Sequence, residues 1–174
     1  MLKLHRACGA VLAICGLVAA ISARAEEPKL LGEYKGWSAY TLTEGKGGIC
    51  YAVSDPKKSE PAKAKRNAPH LLVTHRPSEK QYNVVSIELG YTAAKDTSAM
   101  VEIDKTKLDF FTDHQMGWAR DSETDKAAVT AMVKANDFTV KAKSASGTET
   151  TDQYALAGFA EALQQIDKAC KVKR

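Results

Sequence analysis

Two cysteines 120 positions apart, Cys50 and Cys170, constrain this chain more than any other feature, because a bond between them would tie an early segment to the last one. Whether they oxidise depends on compartment, and the first 25 residues speak to that. Lys3 and Arg6 make a short positive head, residues 7–21 an almost uncharged apolar run, and Ala23-Arg24-Ala25 places small residues where a signal peptidase reads them. The mature chain is therefore expected to begin at Glu26. About 15 apolar residues are too few for a membrane helix, which needs roughly 20, and no later segment competes. The expected location is periplasmic or extracellular, without a membrane span. Cys8 and Cys15 leave with the leader; Cys15 is no lipid anchor, since Ile14 stands where a small residue is needed. An even cysteine pair in an oxidising compartment reads as one disulfide, whose closure contributes on the order of 4 to 5 kcal/mol through lost loop entropy. The alternative is two separate buried thiols.

Setting residues 1–25 aside as a cleaved leader leaves residues 26–174, a length that suits a single domain with one core. The formal charge of +4 shrinks too: without Lys3, Arg6 and Arg24, 22 basic residues face 21 acidic ones. Nucleic-acid binding demands a concentrated basic face and is not expected.

Residues 37–42 alternate large and small side chains, Gly45-Lys46-Gly47-Gly48 turns the chain, and residues 49–54 return, so the pair reads as a hairpin carrying Cys50 in a strand. Residues 55–69 are rich in Pro, Lys, Ser and Ala and predict a mobile surface loop. Residues 70–75 and 82–91, joined by a turn at 76–80, form the strongest strand pair. Further short strands follow at 99–104, 107–112 and 116–120. Ser122-Glu123-Thr124-Asp125 offers a helix start before Ala127, Ala128, Ala131 and Met132. Residues 138–143 and 148–155 return to strand, the second polar enough for a sheet edge. A last helix places Phe159, Ala162, Leu163 and Ile166 on one stripe, with Cys170 on the same face. Short strands with one inserted and one closing helix predict a mainly-β antiparallel sandwich or barrel.

The histidines His70, His75 and His114 lack the spacing of a metal site and read as surface or turn residues, so neither metal nor cofactor is expected. No Gly-x-Ser-x-Gly elbow occurs, and oxidation would remove the cysteine thiolates. No catalytic residue is assigned. The acids Glu88, Glu102, Asp104 and Asp109 leave open a carbohydrate-active or hydrolase module using strand carboxylates, although acids alternating with apolar residues usually face water. The glycine turn lacks a phosphate loop's Gly-Lys-Ser/Thr ending. Lys57, Lys58, Lys63, Lys65 and Arg66 form the one concentrated basic feature. This candidate interaction loop is either a solvated segment or a contact for an anionic surface or glycan; it could equally present an inhibitor of a host or envelope enzyme. Trp37 and Trp118 either line a sugar-binding face or fill the core.

In order along the chain stand Gly36-Trp37, Ile49-Cys50-Tyr51-Ala52-Val53-Ser54 with Pro56 close behind, and Leu71-Leu72-Val73-Thr74-His75-Arg76-Pro77. Leu89-Gly90-Tyr91 follows, and last comes Tyr154-Ala155-Leu156-Ala157-Gly158-Phe159 with Ala162, Ile166 and Cys170. Together they resemble the invasion-associated locus B family of small exported bacterial proteins. The resemblance implies an immunoglobulin-like β-sandwich in the bacterial envelope and no enzyme activity, cofactor or catalytic set. It also matches Cys50 and Cys170 to the family's cysteine pair. The reading is a non-enzymatic envelope protein acting through protein or cell-surface contacts, with host cells as the contact the family name points to. The residues identify neither the partner nor the oligomeric state.

Overall fold

The computed structural model describes residues 27–44 and 47–173. The leader, its cleavage point and the tip of the first glycine turn lie outside the described residues. Eleven strands run in chain order: β1 (Lys29–Tyr34), β2 (Trp37–Glu44), β3 (Gly47–Ser54), β4 (Lys58–Glu60), β5 (His70–Arg76), β6 (Gln81–Glu88), β7 (Ser98–Ile103), β8 (Thr106–Asp113), β9 (Met116–Trp118), β10 (Asp137–Lys143) and β11 (Glu149–Ala155). Helix α1 (Ser122–Met132) is inserted after β9 and helix α2 (Phe159–Ala169) closes the chain. This is the expected mainly-β antiparallel architecture with its two helices.

The period of two decides which side of each strand is buried. Ala99, Val101 and Ile103 of β7 and Phe138, Val140 and Ala142 of β10 point inward, while Met100, Lys141 and Lys143 point out. Hydrogen bonding runs without a break in the order β1-β2-β3-β5-β6-β9-β8-β7-β10-β11-β4. That single sheet folds over on itself around one core. Trp37 Nε1 of β2 donates to the Ala155 carbonyl of β11 at 2.9 Å. Just past β6, the Tyr91 hydroxyl lies 2.6 Å from Thr150 Oγ1 of β11. One cluster of buried side chains spans both halves and both helices.

Helix α2 keeps the expected stripe of Phe159, Ala162, Leu163 and Ile166, and Cys170 follows it into a disulfide with Cys50 across 5.9 Å between Cα atoms. Its entry residue Gly158 has φ +91°, and a Cβ there would stand 2.0 Å from the Tyr34 carbonyl oxygen, so only glycine lets the chain pass. Helix α1 is capped by Asp121, whose carboxylate accepts the Thr124 N–H at 2.8 Å. Its buried face differs from the expected stripe: Asp125, Ala128, Val129 and Met132 turn inward and Ala127 is exposed.

Residues ahead of Trp37 also form a strand, β1, paired with β2. Two further expectations are corrected. The 55–69 segment is not a mobile loop, since β4 within it pairs with β11 and the Asn67 N–H bonds the Gly90 carbonyl at 2.9 Å. For the same reason β11 is not an edge; its Thr150, Asp152 and Tyr154 are buried, the polar ones among them held by side chains that come from distant parts of the chain.

Candidate functional site

The most open irregularity in the sheet lies around β9. That strand is three residues long and pairs Ser86, Ile87 and Glu88 of β6 on one side and Phe111, Thr112 and Asp113 of β8 on the other. After Trp118 the chain leaves the sheet for α1. Residues 81–85 of β6 and 106–110 of β8 therefore diverge with no strand between them. Helix α1 packs on β6 there, and the Asp125 carboxylate accepts the Val85 N–H at 2.8 Å, in the place where a neighbouring strand would supply a carbonyl. Burial raises the Asp125 pKa to about 6, against the lowering effect of that N–H, and nearby Asp121 raises it further.

Aromatic side chains surround the resulting cleft of about 540 Å³. Tyr82 and Phe111 keep 41% and 38% of their surface exposed, and Trp118 is half-buried with its ring centroid 5.5 Å from that of Phe111. Arg76 and Lys80 reach the cleft from the turn before β6, Asp121 and Ser122 from the start of α1. Large aromatics and arginine at a solvent-open depression are the composition of binding surfaces. Of the two tryptophans, Trp37 is core, packed on Phe159 with centroids 4.8 Å apart; only Trp118 serves a surface. Sequence reasoning passed over Tyr82 and Phe111, although the adjacent pair Phe110-Phe111 forces one ring outward in any strand.

The basic segment is divided by the fold. Arg66 is a correction: its side chain is 5% exposed and donates through Nη1 to Asp152 Oδ2 at 2.7 Å and to the Leu89 carbonyl at 3.1 Å, with Nη2 on Asp152 Oδ1. Ser59 Oγ donates to the same carboxylate at 2.7 Å, and the guanidinium lies 5.7 Å from the Tyr91 ring centroid. The buried Tyr154 hydroxyl nearby has no hydrogen-bond partner among the described residues, and burial raises its pKa. Lys57 pairs with Asp137 and Lys58 with Glu60, both in the open. Lys63 and Lys65 are exposed and make no ion pair among the described residues.

His75 corrects the surface reading of the histidines, for it is completely buried beside the disulfide. Its Nδ1 accepts the Asn83 N–H at 3.0 Å, which places the ring proton on Nε2, donated to Asp167 Oδ1 at 2.9 Å. An aspartate–histidine pair is the orienting half of many hydrolytic sites. Here both ring nitrogens are engaged and water is excluded, so the imidazole has no lone pair to offer a substrate. His70 meets Asp55 at 2.7 Å and His114 lies in the open beside Asp113. Among the described residues no group of three potential ligands is placed to hold a metal ion. Of the strand acids, Glu102 is engaged by Lys141 and Lys107, which lower its pKa, and Asp109 accepts from Ser98. Asp104 sits exposed in the turn after β7, and Glu88 pairs across β6 with His70 and Met116.

The family model described as invasion associated locus B (IalB) protein matches residues 37–167. The chain belongs to this family. The matched span runs from the first residue of β2 into the last turns of α2, so the family core includes Cys50, the His75–Asp167 pair and every residue of the aromatic cleft. Cys170 lies just beyond it. No curated protein and no solved structure matches the chain. For this invasion-associated locus B protein, then, the site has to be read from its own geometry. No helix among the described residues is long and apolar enough to cross a membrane.

Proposed function

We propose that this invasion-associated locus B protein is an exported, non-enzymatic envelope protein that works by holding an extended segment of another polypeptide in the cleft formed by Tyr82, Phe111 and Trp118. The observation that carries the reading is the exposure of Tyr82 and Phe111 beside two strand stretches that are paired on one side only, with β5 and with β7. Strand edges recruit extended chain through main-chain hydrogen bonds, and the aromatic rings supply pockets for alternate side chains. Arg76 at the end of β5, Lys80 in the turn after it and Asp121 ahead of α1 favour a segment carrying both charges. The disulfide and the family membership fit an oxidising envelope compartment, reached through the N-terminal leader. Neither the carboxylate-hydrolase nor the inhibitor alternative gains an observation of comparable weight.

A displayed library of extended peptides selected on the oxidised protein tests this. Selected peptides should bind wild type at least tenfold more tightly than the Tyr82→Ser/Phe111→Ser variant, and should slow amide exchange at residues 81–85 and 106–110. Equal binding to both proteins, or protection confined elsewhere, would overturn the reading.

A further inference from the structure

A second depression, of about 350 Å³, lies on a different part of the molecule and is independent of the aromatic cleft. We propose that it is a binding site for an anionic sugar, a monosaccharide carrying a phosphate or carboxylate group.

One wall is the segment that carries Lys63 and Lys65, and the other is the turn that carries Ser144, Ser146 and Thr148. Both walls are pinned before any ligand arrives. The lysine segment is held by the buried Arg66–Asp152 pair, by the Ala64 N–H on the Pro61 carbonyl at 3.0 Å and by Asn67 on Gly90. A Cβ at Gly90 would stand 2.2 Å from the Asn67 carbonyl oxygen, so this approach depends on the glycine. The turn is held by the Ser144 N–H on the Thr148 carbonyl at 2.9 Å, by Gly147 on Ser144 at 2.9 Å and by Ala145 on Thr92 at 2.8 Å. A cavity between two preformed walls binds with little backbone ordering, and the cost left is that of fixing the two lysine side chains.

Its chemistry comes in two kinds. Lys63 and Lys65 supply positive charge that no acid of the pocket cancels: Asp152 is committed to Arg66 and Ser59, Glu60 to Lys58, and Glu149 alternates to the outer face of β11. Beside the apolar Pro61 and Ala64, the remaining lining residues carry hydroxyls. Ser144 Oγ accepts the Thr148 N–H at 3.0 Å and shares one hydrogen bond with Ser146 Oγ at 2.8 Å. Ser146 and Thr148 are 3.5 Å apart, too loose a contact to hold their hydroxyls, so Thr148 Oγ1 and the remaining sites of Ser146 Oγ are available to a ligand. Deeper, the Tyr91 hydroxyl and Thr150 are joined at 2.6 Å. Hydroxyls that both donate and accept match a polyol, and a pair of ammonium groups matches an anion. A bare inorganic anion would use the lysines and accept from some hydroxyls, leaving the acceptor oxygens of that wall idle; a neutral sugar would leave the lysines idle. The volume lies in the range that small-molecule sites occupy.

Calorimetry and amide chemical shifts of the oxidised protein, titrated with glucose 6-phosphate, glucuronate, glucose and inorganic phosphate, test the assignment. One of the two charged sugars should bind saturably and move residues 63–65 and 144–150, with glucose and phosphate each at least tenfold weaker. Lys63→Ala/Lys65→Ala, in exposed positions, should weaken the charged sugar at least tenfold, and Ser146→Ala should weaken the charged sugar by a larger factor than it weakens phosphate. Phe111→Ser should leave it unchanged, which separates this site from the aromatic cleft. A further arm presents the same phosphorylated sugar on a glycolipid vesicle: binding only the soluble form assigns a free solute, and binding both assigns an envelope glycan. Phosphate binding as tightly as the sugar with Ser146→Ala silent, or saturable binding to neither charged sugar, overturns the proposal.

Discussion

The Asp125 carboxylate stands 2.8 Å from the backbone nitrogen of Val85 and takes the hydrogen bond that a missing strand would otherwise accept. A side chain on α1 thus terminates a ladder of β6, and it does so as a buried acid held up at a pKa of about 6. The arrangement preserves the gap in which the aromatic cleft lies.

Because the folded pKa of Asp125 is raised above the ordinary aspartate value of 3.8, the folded state holds its proton more tightly than the unfolded state between about pH 4 and 6. Its contribution is therefore least unfavourable below that window, and stability is lost as pH rises through it. Asn at this position keeps the acceptor and removes the charge. Asp125→Asn should gain on the order of 2 kcal/mol at pH 7.5 and nothing at pH 3.5, read from urea unfolding at the two values. A variant less stable than wild type at pH 7.5 and equal to it at pH 3.5 would show that the charge itself holds α1.

The Cys50–Cys170 bridge joins β3 to the end of the closing helix. The Cys50→Ala/Cys170→Ala variant should lose about 2 to 5 kcal/mol in urea unfolding. Intact mass should rise by about two hydrogens on reduction of the wild type, and by none in the variant.

Arg66 and Asp152 form a buried pair, with side chains 5% and 1% exposed. Removing one partner strands the other charge, so Arg66→Met or Asp152→Asn should cost about 3 to 5 kcal/mol, while replacing both by apolar residues should recover much of it. Lys57→Ala, which breaks an exposed pair, should stay within about 1 kcal/mol of wild type.

Tyr82 and Phe111 are exposed over 41% and 38% of their surface, so Tyr82→Ser/Phe111→Ser should cost about 2 to 4 kcal/mol in unfolding stability, less than the roughly 6 to 10 kcal/mol expected of two fully buried aromatics. A loss in that upper range would make them core residues and remove the cleft as a contact surface.

Local pattern was a good guide wherever one face of an element meets the core. The strands around Val85, Val101 and Val140 and the stripe of α2 were readable, because burial imposes a period of two or of 3.6 on neighbouring residues; the Cys50–Cys170 pairing was readable on other grounds, an even cysteine count behind an export leader. The same logic failed at Asp125 and at β4. A lone acid in a helix start looks like capping, and Lys58-Ser59-Glu60 has no apolar alternation, since what orders it is hydrogen bonding to β11.

The candidate sites were harder to see for the same reason. Lys63 and Arg66 lie three positions apart and read alike, yet one reaches solvent and the other is buried against Asp152, 86 residues away. Tyr82, Phe111 and Trp118 carry no spacing that marks them as neighbours. Composition and periodicity record how each residue relates to its own strand or helix, and they were enough for the fold class, the two helices and the oxidised pair. How the sheet folds over, where it splits beside β9, and which charges meet depend on contacts between segments far apart in the chain, and those exist only once the core has closed.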